Sequence, residues 1–219
     1  MLILPSRFGV KTVPIYINFD KRFVARPLTK NNWNDFVTLL GQRGACGGCW
    51  CMSWRLKKNE FERQKGELNK AAMQKLVETD QSLGVLGYVD GQPVGWCAVA
   101  PRRQFVRLQY SRTLKPIDDQ PVWSIVCIFL GKEYRRRGLS TELIKAAVEY
   151  CRLQGGSIVE AYPAVPYGDK VPAAFLWTGV PESYLRAGFE IAVQRSKWKL
   201  IMRHYMTHVC QKRNEFEGG

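Results

Sequence analysis

Tyr134-Arg135-Arg136-Arg137-Gly138-Leu139-Ser140 joins an apolar, strand-like run, Val122 to Leu130, to a helix-like run, Thr141 to Leu153. A helix N-terminus presents unpaired N–H groups and a partial positive charge, and a glycine at its mouth lets the backbone come close to a ligand. Three guanidinium groups add forked donors suited to phosphate oxygens. This turn is the leading candidate anion site. The plainer alternative is a solvated basic loop capped by Ser140.

Cys46-x-x-Cys49-x-Cys51 is a second group with chemical potential. With His204, His208 and Cys210 the chain has enough ligands for a closed zinc site. Structural zinc sites pair two spaced doublets, however, and here one cluster is compact and the other distant. Packing of a glycine- and tryptophan-rich loop is the preferred reading, no metal is expected, and a reactive thiol is the remaining option. Cys97, Cys127 and Cys151 fall in apolar runs, where free cysteine behaves as a small hydrophobe. Trp50, Trp54, Trp96 and Trp123 either line a cleft or pack in the core, and packing is the commoner role.

The elements that would position these groups follow from periodicity. Phe23 to Leu28 reads as a first strand, and Thr29 to Asn32 offer caps for an amphipathic helix through Trp33, Phe36, Val37, Leu39 and Leu40. Leu68, Ala72 and Leu76 form a helical stripe, with Met73 beside them. Asp90-Gly91 between Leu83–Val89 and Val94–Val99 predicts a hairpin. Residues 101–121 form a long basic connector, and Gly155-Gly156 ends the helix before a strand at 157–162. Residues 162–181, rich in proline and aromatics, read as an irregular loop over a site. A short helix then stops at Gly188, and 189–193 with 198–203 form a closing strand pair. The order implies a mixed sheet flanked by helices in one domain spanning 1–219, with its core at about 21–205. The candidate turn would lie beyond the C-terminal end of a strand, where open α/β sheets bind ligands.

Composition narrows the class. The chain has 219 residues, 46% hydrophobic and 24% charged, which is ordinary for a globular protein. No apolar stretch approaches the ~20 residues that span a bilayer, and Pro5, Arg7 and Lys11 interrupt the apolar start. Seven cysteines, an odd number without a secretory signal, argue against a disulfide framework, so a cytoplasmic protein with no membrane partner is expected. A net charge of +14 attracts polyanions, yet the basic residues are scattered and no known nucleic-acid motif accompanies them.

These residues resemble the GNAT superfamily of acyl-CoA-dependent N-acyltransferases. Its turn, [Gln/Arg]-x-x-Gly-x-[Gly/Ala], appears as Arg135-x-x-Gly138-x-Ser140, with serine in the last position. The hairpin ending Val94-Gly95-Trp96-Cys97-Ala98-Val99 and the segment Ser183-Tyr184-Leu185-Arg186-Ala187-Gly188-Phe189 match in order and spacing. The segments 44–52 and 121–124 resemble an uncharacterised bacterial branch. The resemblance implies a mixed, mostly antiparallel sheet of about six to seven strands with a splayed parallel pair. It implies acetyl-CoA as acyl donor, direct attack by an amine of a small molecule or protein, and a homodimer as an open option. The backbone of Ile128, Phe129 and Leu130 would pair with the pantetheine arm. Arg135, Arg136, Arg137, Gly138, Leu139, Ser140 and Thr141 would hold the phosphates. Tyr184 would protonate the leaving thiolate. The strand position where some members carry a glutamate is Ser124, which leaves Glu160, Asp118 or Asp119, or a water relay, as base. A non-catalytic acyl-CoA sensor and a basic nucleic-acid-binding module are the alternatives.

Overall fold

A computed structural model describes residues 13–79, 81–166 and 176–206. In chain order the principal elements are β1 (Tyr16–Asn18), β2 (Phe23–Pro27), α1 (Trp33–Leu40), α2 (Lys58–Arg63), α3 (Glu67–Glu78), β3 (Gly84–Val89) and β4 (Gln92–Pro101). They continue with α4 (Val106–Gln109), β5 (Trp123–Leu130), α5 (Leu139–Leu153), β6 (Ile158–Ala161), α6 (Pro181–Leu185), β7 (Glu190–Ser196) and β8 (Lys199–Tyr205). The strands form one sheet in the order β1-β2-β3-β4-β5-β6-β8-β7. Every pairing is antiparallel except β5 with β6.

Among the described residues the sheet has eight strands rather than six or seven, because the three-residue β1 is too short to show a period of two. Its docking is polar instead. The buried Glu142 carboxylate on α5 accepts from Tyr16 Oη at 2.7 Å, Asn18 Nδ2 at 2.9 Å and Lys21 Nζ at 3.2 Å. Ahead of α1, Thr29 and Asn32 form a reciprocal capping box, which fixes where the chain leaves β2.

Each face of the sheet carries its own apolar layer. On one face α5 packs Leu139, Leu143, Ile144 and Ala147 against Phe23, Val85, Val94 and Val99. On the other, α1, α3 and the loop at 44–54 pack Phe36, Met73 and Trp50 against Leu86, Trp96 and Val126. The α3 stripe is rotated from the expected one. Leu68 is 62% exposed, while Asn69, Met73 and Val77 face inward. Asn69 Nδ2 donates to Gly48 O at 3.1 Å, so a polar tie to the cysteine loop sets the helix rotation.

Two irregularities of β5 shape the site. Ala98 pairs with Cys127 and Val99 with Ile125, so Val126 is an extra residue that bulges the strand and re-aims its C-terminal half. The parallel pairing with β6 stops at Ile125↔Ala161. Beyond it the two strands splay.

Candidate functional site

Gly138 is the N-cap of α5 with φ +73°, and no side chain caps the helix there. A Cβ at this position would lie 2.8 Å from Lys21 Nζ. The first-turn N–H groups therefore open onto a cradle flanked by cations. Arg135, Arg136 and Arg137 are exposed, and none pairs with a carboxylate among the described residues. They are nonetheless distinguishable. Arg135 Nε donates to Leu130 O at 3.1 Å, and the Arg137 guanidinium stacks over Tyr134. Arg136 adopts φ +60°, so it makes the left-handed step that turns the chain into the helix. Ser140 Oγ lies 3.0 Å from Ser183 Oγ, and Thr141 Oγ1 reaches Ser183 O at 3.5 Å. The serine at position 140 thus ties this turn to α6.

The expectation of unpaired backbone groups at Ile128 to Leu130 needs correction. Ile128 N–H donates to Trp177 O at 2.7 Å, and Leu130 O accepts from Arg135 Nε. A buried strand edge left over by a splay must find partners, and the chain after the proline-rich loop supplies one of them. Gly179 lets this segment enter. A Cβ there would sit 2.8 Å from the Tyr184 ring and 3.0 Å from Ile128 Cδ1.

Tyr184 lies beside this contact. It is fully buried, its ring packs edge-on against Phe189, and its hydroxyl donates to Thr178 O at 2.8 Å. Burial pushes its pKa well above the ordinary tyrosine value, so the phenol carries its proton at neutral pH. Two strong donors, Ile128 N–H and Tyr184 O–H, are thus held by consecutive carbonyls of one segment.

Glu160 is elsewhere. It pairs in register with Ser124 at the start of β5, before the splay. Its oxygens are buried without a hydrogen bond, 3.8 Å from Arg102 Nη1 and 3.6 Å from Arg203 Nε. Arg203 makes its close contacts with Asp118 instead, at 2.6 and 2.9 Å. Burial outweighs both cations and raises the Glu160 pKa. These residues lie in the lining of a depression of about 740 Å³ that does not include Ile128. Ser124 is also buried, with its hydroxyl 2.9 Å from Tyr162 Oη.

Farther along β5 lies an apolar cavity of about 190 Å³. Trp96, Cys127, Ile128, Phe129 and Trp177 line it together with Cys46, Cys49 and Cys51. Trp54 stacks against Trp177 at 5.8 Å, so one of the four singled-out tryptophans backs a wall and Trp96 lines the cavity itself. Trp50 is core, and Trp123 packs on Tyr150. Among the described residues no three His, Cys, Asp or Glu side chains gather as metal ligands. His208 and Cys210 lie outside the described residues.

Three residues escaped the sequence reading. Trp177 and Thr178 act through backbone carbonyls, which leave no side-chain signature. Arg55 is buried near Cys51, and no spacing rule marks a lone buried arginine.

Comparison with known proteins gives a consistent set. The model of the acetyltransferase (GNAT) family matches residues 50–169. An uncharacterised N-acetyltransferase of Methanocaldococcus jannaschii is 26% identical over 180 residues, which cover 79% of this chain and 63% of that relative. The chain therefore spans less than two thirds of that relative's length. Among solved structures, a yellow fever mosquito protein assigned as an arylalkylamine N-acetyltransferase superposes with a TM-score of 0.50 at 13% identity, covering 84% of this chain and 87% of its own. The PaiA N-acetyltransferase of Thermoplasma acidophilum, solved in complex with coenzyme A, gives 0.48 at 14% identity over 84% and 99%.

Proposed function

Because the chain belongs to the acetyltransferase (GNAT) family, which matches more than half of it, we propose that it transfers an acetyl group from acetyl-CoA to an amine. The pyrophosphate is assigned to the N–H groups of Gly138 to Thr141, with Arg135, Arg136 and Arg137 as the flanking cations. The pantetheine arm is assigned to the β5 edge at Ile128 to Leu130. The thioester oxygen is assigned to Ile128 N–H, which stabilises the oxyanion as the carbonyl is attacked. Tyr184 O–H returns a proton to the departing CoA thiolate.

One observation carries this assignment. Ile128 N–H and Tyr184 O–H meet at one place, and each is held by a carbonyl of residues 177 and 178. A thioester oxygen and a thiolate ask for the same two donors. Binding then exchanges one pair of acceptors for another, so its cost falls mainly on moving residues 176–179.

In the simplest route the amine attacks the thioester directly. That route needs a group to take the amine's proton, and Glu160 lies in a separate depression as an ion-pair partner of Arg102 and Arg203. The buried Ser124 and the sequestered Glu160 favour one second reading, a sensor that binds acyl-CoA without transfer.

Thermal unfolding with acetyl-CoA tests the binding. A ligand at 100 times its Kd adds about 2.7 kcal/mol to the folded state. No rise in melting temperature with any acyl-CoA would sink both readings. An amine screen that follows CoA release then separates enzyme from sensor.

A further inference from the structure

We propose that the acceptor amine carries a compact apolar group and a carboxylate, the chemistry of an apolar α-amino acid. The apolar group sits in the cavity beside Ile128, and the carboxylate sits on Arg107. This deepens the acetyl-transfer reading and rests on it.

The cavity sets the first requirement. Leu40, Phe61, Trp96, Phe129 and Trp177 wall it with the cysteine loop, and among the described residues no Lys, Arg, His, Asp or Glu lines it. Its walls are tied in place. Trp96 Nε1–H donates to Cys51 Sγ at 3.1 Å, and Trp177 O accepts from Ile128 N–H at 2.7 Å. An apolar cavity of roughly 150 Å³ stays dry and takes up benzene. The volume here, about 190 Å³, therefore suits one aromatic ring or a branched chain of similar size. A charged group pushed into it would lose its hydration and find no counter-charge. That disfavours lysine and polyamines, whose chains end in a second cation. Ile128 lines the same cavity, so a group seated there brings its amine beside the N–H assigned to the thioester oxygen.

Charge sets the second requirement. Trp54 stacks on Trp177 and also lines a depression of about 950 Å³. That wall carries Lys57, Lys58, Arg63, Arg107 and Lys199 against one acid, Glu60. None of the five cations is paired with a carboxylate among the described residues. Ser53 joins the two spaces. It lines the cavity, and its hydroxyl and carbonyl accept from Arg107 Nη1 at 2.9 and 3.2 Å. Arg107 is further fixed by its backbone N–H to Trp54 O at 3.1 Å and by its guanidinium over the Trp54 ring. These contacts leave Nε and Nη2 without a hydrogen bond among the described residues. That edge of a guanidinium is a fork that grips a carboxylate bidentately. The lysines around it draw anions toward it.

One small molecule meets both requirements. An apolar α-amino acid places its side chain in the cavity and its carboxylate on the Arg107 fork, with the amine between them. The transfer stays a direct attack. The amine nitrogen bonds to the thioester carbon, the C–S bond to CoA breaks, the thiolate takes the Tyr184 proton, and the amine's proton passes to solvent. Water then restores the Tyr184 proton.

The test follows CoA release from the full chain with L-phenylalanine, 2-phenylethylamine, L-alanine and L-lysine, with the melting temperature read with and without acetyl-CoA. L-Phenylalanine should exceed 2-phenylethylamine in kcat/KM by about tenfold or more, the worth of one charge-assisted carboxylate pair. It should exceed L-alanine by about 10²-fold, the worth of the ring in the cavity, and L-lysine by at least as much. Arg107→Gln should bring the ratio of L-phenylalanine to 2-phenylethylamine to about one. If that variant does not fold, the four-acceptor comparison on the wild type decides alone. A wild type that takes 2-phenylethylamine as well as L-phenylalanine, or prefers L-alanine or L-lysine, overturns the proposal. So does a protein stabilised by acetyl-CoA that acetylates none of the four. Absence of stabilisation by acetyl-CoA overturns the reading beneath.

Discussion

Tyr184→Phe separates the roles assigned to the buried phenol. The ring keeps its packing on Phe189 and beside Gly179, and only the donor to Thr178 O is lost. That leaves a buried carbonyl unpaired, so the folded state should lose about 1–3 kcal/mol. Segment 176–179 is then held less firmly over Ile128. Its displacement becomes easier by about the energy of one hydrogen bond, ~1 kcal/mol, so acetyl-CoA affinity should hold or rise up to about fivefold. Turnover should move the other way. Losing a general acid costs about 10²–10⁴ in rate, or roughly 3–5 kcal/mol of transition-state stabilisation. Calorimetric titration with acetyl-CoA gives the first quantity, and steady-state CoA release with a screened amine gives the second. Turnover within threefold of wild type, or affinity that falls in parallel with rate, would refute the role given to Tyr184.

The remaining predictions concern the scaffold and its titration. Met73→Ala should cost about 2–4 kcal/mol in urea unfolding, whereas Leu68→Ala should stay within about 0.5, because α3 buries the first and exposes the second. Glu142→Ala should cost about 3 kcal/mol and release the β1–β2 hairpin, read as faster amide exchange at residues 16–25. Its hydrogen bonds hold the Glu142 carboxyl below the usual range, so its stabilisation is complete above that range and fades as pH falls through the depressed value. The stability gap between wild type and Glu142→Gln should therefore close in acid. Glu160 has the opposite sign. Its raised pKa means that stability is lost as pH climbs from the usual carboxylate range through the folded-state value, and Glu160→Gln should flatten that slope in urea midpoints measured across pH.

Legibility in the sequence followed the range of the interactions. The turn at 135–140, the Asp90-Gly91 hairpin and α1 with its Thr29–Asn32 cap are written in neighbouring residues, and they stand in the structure near their expected limits. The α3 rotation was not readable, because Leu68, Ala72 and Leu76 make as good a stripe as Asn69, Met73 and Val77. The tie from Asn69 to Gly48, twenty-one residues away, decides between them. At the site, Tyr184 and Ile128 were placed by motif order, but their partners are carbonyls at 177 and 178 that any residue type would present. The cysteine loop showed its composition and nothing of its packing, since the Cys51 thiol accepts from Trp96 Nε1–H of β4, forty-five residues away.

Titration calorimetry of acetyl-CoA into the wild-type chain and into Gly138→Val tests the central assignment most directly. A valine at φ +73° is strained, and its Cβ would press on Lys21 Nζ within the cradle assigned to the phosphates, where the only atoms it meets belong to that flexible side chain. The account predicts one equivalent bound by the wild type and a folded variant whose affinity is weaker by about 10²-fold or more, the worth of two charge-assisted phosphate bonds. Equal affinity in the two proteins would contradict it.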